Sequence, residues 1–143
     1  MTPTIIIQFD HPSHRANPGE SLSGTYRFVD VESSEIQRVE LSILWYTEGK
    51  GDEDLGVHYF ELIPWEEREQ KMNGGLLPPL PDDHALGGEF ETILPQTPLS
   101  YYGKVLKIRW CVRVRLFLKS GRDVKTERVF VLGSVPPAQA VLD

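Results

Sequence analysis

Residues 104–119 read Lys-Val-Leu-Lys-Ile-Arg-Trp-Cys-Val-Arg-Val-Arg-Leu-Phe-Leu-Lys, and this stretch decides the fold class. Leu106, Ile108, Trp110, Val112, Val114, Leu116 and Leu118 recur with period two, the side-chain repeat of a β-strand. The alternate positions hold Lys107, Arg109, Cys111, Arg113, Arg115 and Phe117. One side of this strand is therefore buried and the other largely polar, the pattern of an antiparallel sheet with one wet face. On a helix the same apolar residues would scatter around the axis.

Outward from this spine the period repeats. In Ile36 to Tyr46, Val39, Leu41, Ile43 and Trp45 share a side opposite Glu40 and Ser42, while Leu44 and Tyr46 blur the polar side. Leu22, Tyr26 and Phe28 alternate with Ser21, Ser23, Thr25 and Arg27. Gly24 within that run signals a bulge or a close backbone approach. Shorter strands are expected at Thr4 to Phe9, Gly56 to Leu62, Gly88 to Leu94 and Lys125 to Leu132, each rich in Ile, Val, Phe or Tyr. About seven strands result, which predicts an all-β, immunoglobulin-like antiparallel sandwich.

Turn residues separate the strands. Ser120-Gly121-Arg122-Asp123 marks a tight hairpin. A three-residue loop, Ser120-Gly121-Arg122, sets Glu127 opposite Arg115 on the outer face with Phe130 inward, whereas a two-residue loop turns Glu127 to the core. The three-residue loop is thus favoured. The longest irregular stretch is 64–87, in which Trp65 to Met72 has room for two helical turns at most before Asn73-Gly74-Gly75. Its section from Leu76 to Leu86 strings prolines and acids together without periodicity and is expected to be cut first in limited proteolysis. The chain reads as one domain over residues 1–143, with a tail at 134–143.

Composition narrows the class further. Fifteen basic against 21 acidic residues leave a net charge of −6, against the clustered positive charge of a general nucleic-acid binder. No apolar run reaches the length of a membrane-spanning helix. The single cysteine, Cys111, has no partner for an internal disulfide, and with no signal peptide in view a cytoplasmic setting is expected.

Candidate chemistry is thin. His11 and His14 have HxxH spacing, but a metal site needs a further convergent ligand, so an exposed loop pair is the plainer reading, and His84 beside Asp82 and Asp83 is read the same way. Neighbouring guanidinium groups at Arg109 and Arg113 would lower the thiol pKa of Cys111, although an inert, half-buried cysteine is the commoner case. The adjacent acids Glu66-Glu67 and Asp82-Asp83 diverge on regular structure and read as solvated. No G-x-S-x-G, P-loop, dinucleotide fingerprint or zinc-spaced cysteine pair is present. Neither a catalytic residue, a cofactor nor a metal is therefore expected. The sharpest feature outside the core is the basic row Lys107, Arg109, Arg113 and Arg115 along one strand face, on which alternate residues are roughly 7 Å apart. It serves either to recognise a partner or to meet acids such as Glu127 on a neighbouring strand.

Two clusters resemble the arrestin-like family. The first is Asn17-Pro18-Gly19-Glu20 followed by Gly24 and Tyr26; the second is Phe90, Leu94-Pro95, Pro98, Ser100-Tyr101, Gly103, Ile108, Trp110 and Val112. The resemblance covers one sandwich domain of the two in full-length arrestins and extends to microbial proteins of the sporulation-control type. It implies non-catalytic protein binding, as an adaptor or scaffold in trafficking or signalling. The candidate contacts are Arg109, Arg113, Arg115 and, at the head of the long loop, Trp65. Self-association through strand edges is the alternative, and a small ligand-binding or enzymatic sandwich using the loops at one end is a third reading.

Overall fold

The computed structural model describes residues 2–49, 53–66, 68 and 86–133. Nine strands follow in order: β1 (Thr4–Phe9), β2 (Arg15–Ala16), β3 (Ser21–Val29), β4 (Ile36–Gly49), β5 (Leu55–Pro64), β6 (Leu86–Ile93), β7 (Tyr101–Tyr102), β8 (Leu106–Leu118) and β9 (Asp123–Leu132). Seven are long, at the expected places, and β2 and β7 are two-residue additions. They form two sheets, β1-β3-β6 and β2-β9-β8-β4-β5, with β7 also on β8. All the long pairings are antiparallel, whereas β2 runs parallel to β9.

The core lies between the sheets. Ile5, Ile7, Phe9, Leu22, Tyr26, Phe28 and Phe90 come from the three-stranded sheet, facing Val39, Leu41, Ile43, Trp110, Val112, Val114 and Leu116 from the six-stranded one. Period two thus buries most of the residues it nominated, because each strand has one face toward the opposing sheet, although Ile108 and Trp45 are only half-buried. Leu106 departs from it. This residue is exposed, at the first position of β8.

Local chemistry fixes the turns. Gly19 takes φ +83, Glu20 N–H donates to Asn17 O, and the Glu20 carboxylate accepts from Asn17 N–H at 2.7 Å. The Pro-Gly-Glu turn is thus closed from both ends. At Gly24 the register runs on without a shift, so there is no bulge; instead, a Cβ there would lie 2.3 Å from Gln8 O. The close-approach alternative is therefore the one realised. Ser100 is buried and clamps β9, its N–H donating to Leu132 O and its Oγ accepting from Leu132 N–H.

Two boundaries differ from expectation. The hairpin loop is Lys119-Ser120-Gly121, with Gly121 at φ +95, and so lies one residue earlier than expected. The register moves by two, and Glu127 faces Arg113 while Arg115 faces Lys125. The long loop is also trimmed at both ends, since Pro64 closes β5 and Leu86 and Gly87 open β6. Trp65, Glu66 and Arg68 are helical, while residues 69–85 lie outside the described residues, as does 134–143.

Candidate functional site: the outer face of the six-stranded sheet

Strand β8 is central in its sheet, and its polar face looks away from the core. Cross-strand rows define the surface. Val57, Leu44, Cys111 and Val129 form one row across β5, β4, β8 and β9; Phe60, Ser42, Arg113 and Glu127 form the next; Leu62, Glu40, Arg115 and Lys125 form the third.

The arginines meet carboxylates. Arg113 Nη2 lies 2.7 Å from Glu127 Oε1, and its Nε donates to the same oxygen at 2.8 Å. Arg115 faces a lysine directly and reaches diagonally to Asp123, Nε to Oδ2 2.9 Å. Arg109 Nε lies 3.2 Å from Glu48 Oε2, an ion pair without a directed hydrogen bond. Arg38 and Arg115 both sit over the Phe117 ring, at 3.8 and 4.9 Å from its centroid. Among the described residues, β4, β8 and β9 present on this face the cations Arg38, Lys107, Arg109, Arg113, Arg115 and Lys125 against Glu40, Glu48, Asp123 and Glu127. Six cations against four acids leave two positive charges in excess, on a chain of net −6.

Cys111 lies between the arginines but is fully buried with Leu44. Burial pushes its thiol up to about 12, and Glu127 adds to the shift; Arg113 and Lys125 oppose it without prevailing. The inert cysteine favoured from the sequence is the one realised, fully rather than half buried, because loss of water costs the thiolate more than the neighbouring charges return.

Trp65 is also corrected as a surface contact. It is 2 % exposed, packs edge-on against Phe28 at 5.9 Å, and donates from Nε1 to Ser33 Oγ at 2.8 Å. A large ring following an edge strand closes the sandwich end more effectively than it serves a partner, since burial removes its apolar area from water.

The His11 and His14 rings have different partners. His11 Nδ1 is 2.7 Å from Ser13 Oγ, a local turn contact, whereas His14 packs edge-on against Phe9 and its Nε2 is 3.3 Å from Arg128 Nη2. They line an open cleft of about 630 Å³ with Asp10, Ser13 and Arg15. Among the described residues, no group of three or more His, Cys, Asp or Glu is placed to hold a metal ion. Glu67, Asp82, Asp83 and His84 lie outside the described residues. Among those described, no helix is long and apolar enough to cross a membrane.

Two features escaped the sequence reading. His58 Nε2 lies 2.9 Å from Ile93 O and 3.2 Å from Thr92 Oγ1, tying β5 to β6 across the sandwich. Leu55, Val57, Phe60 and Leu62 on β5 are 48–56 % exposed. Their signal was apolar residues that slip out of step between Val57 and Phe60, as a bulge requires.

No family model and no curated protein sequence matches the chain. Among solved structures it is similar to that of Spo0M, a sporulation control protein from Bacillus subtilis, with a TM-score of 0.59 and 14 % identity. The match covers 94 % of this chain and 50 % of the other, so the chain spans half the length of the structure it matches. At that identity the likeness is one of fold, and the fold is an arrestin-like β-sandwich.

Proposed function

We propose that this chain is a non-catalytic, cytoplasmic adaptor that binds an acidic surface of a protein partner through Arg109, Arg113 and Arg115. The observation that carries the reading is the charge on their face, an excess of two cations on a chain of net −6. Each arginine has five N–H donors, so one ion pair leaves donors free for a second carboxylate. Each is also held in place by its existing pair, which lowers the entropy lost on binding. The fold itself does not fix function, so the reading rests on this face.

The test is capture of host proteins by wild type and Arg113→Glu at low and moderate salt, with thermal melts of both. The expected result is loss of partners captured at low salt, with slower association and a melt changed by only a few degrees. An unchanged set of partners with a normal melt removes this face from the reading.

A further inference from the structure

We propose that β5 is a self-association edge, through which two copies pair antiparallel about a twofold axis and join their six-stranded sheets into one. The inference stands apart from partner binding by the arginines. Strand β5 ends its sheet and, among the described residues, pairs only with β4. Natural edges are blunted by lysine, proline or inward charge. Of these, β5 has no lysine, its one proline, Pro64, closes the strand, and its one charge, Glu61, lies on the inward face opposite Leu41, so from Leu55 to Phe60 the edge carries none of them. The outward face of the same strand shows Leu55, Val57, Phe60 and Leu62, each about half exposed. Together they present roughly a few hundred Å² of apolar surface, the size of the largest patch on a typical monomer, which is often functional.

The bulge selects the occupant. Facing Ile43 and Leu44, β5 takes one residue more than β4, so Leu55 and Val57 point outward, His58 and Tyr59 both point inward, and Phe60 and Leu62 point outward again. A foreign strand of regular alternation would fall out of phase at that point. A second β5 carries the same irregularity. With the twofold axis midway between His58 and Tyr59, Leu55 meets Leu62 of the second copy, Val57 meets Phe60, and outward residues oppose outward ones along the whole pairing. Shifting the axis by one position to either side sets an inward residue against an outward one at its centre. The same register places Glu61 opposite Gly56, which has no side chain, rather than opposite its own copy. The arrangement therefore pairs every exposed apolar side chain of the strand and brings no like charges together.

The test is sedimentation of the full chain from about 1 μM to about 1 mM, because so small an interface suits a weak dimer. A concentration-dependent monomer–dimer equilibrium is expected, and a monomer throughout would overturn the proposal. Phe60→Glu alters an exposed side chain and should raise the dissociation constant at least about tenfold with an unchanged melt; an unaltered constant also counts against it. The register is read by oxidation of cysteine variants. Val57→Cys with Phe60→Cys, and Leu55→Cys with Leu62→Cys, should give cross-linked dimers, since opposed Cβ atoms lie about 5 Å apart. Each single variant should not, because Leu55 and Val57 do not face their own copies. Equal cross-linking by a single variant assigns a different interface and refutes this one.

Discussion

Replacing Trp110 with alanine tests the inward face of β8 directly. The side chain is fully buried, its ring 5.9 Å from Phe130 and 6.2 Å from His58 between centroids, and its Nε1 donates to Pro98 O at 2.7 Å. Truncation removes most of a large apolar surface and leaves a cavity among residues held by two sheets, at a cost of about 3–5 kcal/mol. It also leaves the Pro98 carbonyl without its donor, which adds about 1 kcal/mol. Against a total of about 5–15 kcal/mol for a domain, the variant stands near the threshold of folding. In urea, the midpoint should fall by roughly 2 M at an unchanged slope. Trp110→Phe separates the contributions, since it keeps much of the ring and loses the Nε1 donor; a cost of about 1–2 kcal/mol is expected. A loss under about 1 kcal/mol for the alanine variant would show that Trp110 is not seated in the core, and the assignment of faces on β8 would fall with it.

Three further outcomes follow from the packing. Cys111 and Tyr26 are both pushed up to about 12 by burial, from ordinary values of 9.0 and 10.0. Above pH 9 the unfolded chain therefore releases protons that the folded chain retains, and stability present below that pH is lost between pH 9 and 12; alkaline urea titrations should show this, with Cys111→Ala removing the part that begins near pH 9. Gly24→Ala forces a Cβ to within 2.3 Å of Gln8 O and 2.6 Å of the Phe90 ring, so a thermal melt should report about 1–3 kcal/mol of destabilisation. For Arg113 and Glu127, whose side chains are 27 and 28 % exposed, a double-mutant cycle to alanine should give a coupling of about 0.5–1 kcal/mol. A coupling of zero would mean that solvent screens the pair completely.

Much of the sandwich was legible along the chain because a strand's two faces differ in what touches them. In β3, β4 and β8, water on one side and the opposing sheet on the other impose period two on the residues themselves. Turns with a single chemical solution were legible as well: Gly19 and Gly121 stand where φ is positive, and only the position of the hairpin loop was off by one residue. That single residue shows where local reading ends. Lys119-Ser120-Gly121 and Ser120-Gly121-Arg122 have similar turn chemistry, yet they assign Glu127 to different arginines, and the choice belongs to the whole β8–β9 ladder.

The candidate site depended more heavily on distant contacts. Arg109, Arg113 and Arg115 could be placed outward from β8 alone, but their carboxylates come from β4 and β9, so the pairing with Glu48, Glu127 and Asp123 exists only in the assembled sheet. Cys111 shares its strand face with those arginines, and only the packing of Leu44 beside it shows that burial outweighs their charge. Trp65 follows the same logic, since nothing in Pro64-Trp65-Glu66 says that Phe28 and Ser33, more than thirty residues earlier, stand ready to enclose it. The sequence by itself determined the strands, their inward faces and the class of fold, because those depend on contact with water or core, which each residue type expresses on its own. Only the tertiary structure decided which charges are paired, which aromatic ring is hidden and which strand is left at an edge, because each of these depends on a partner far away in the chain.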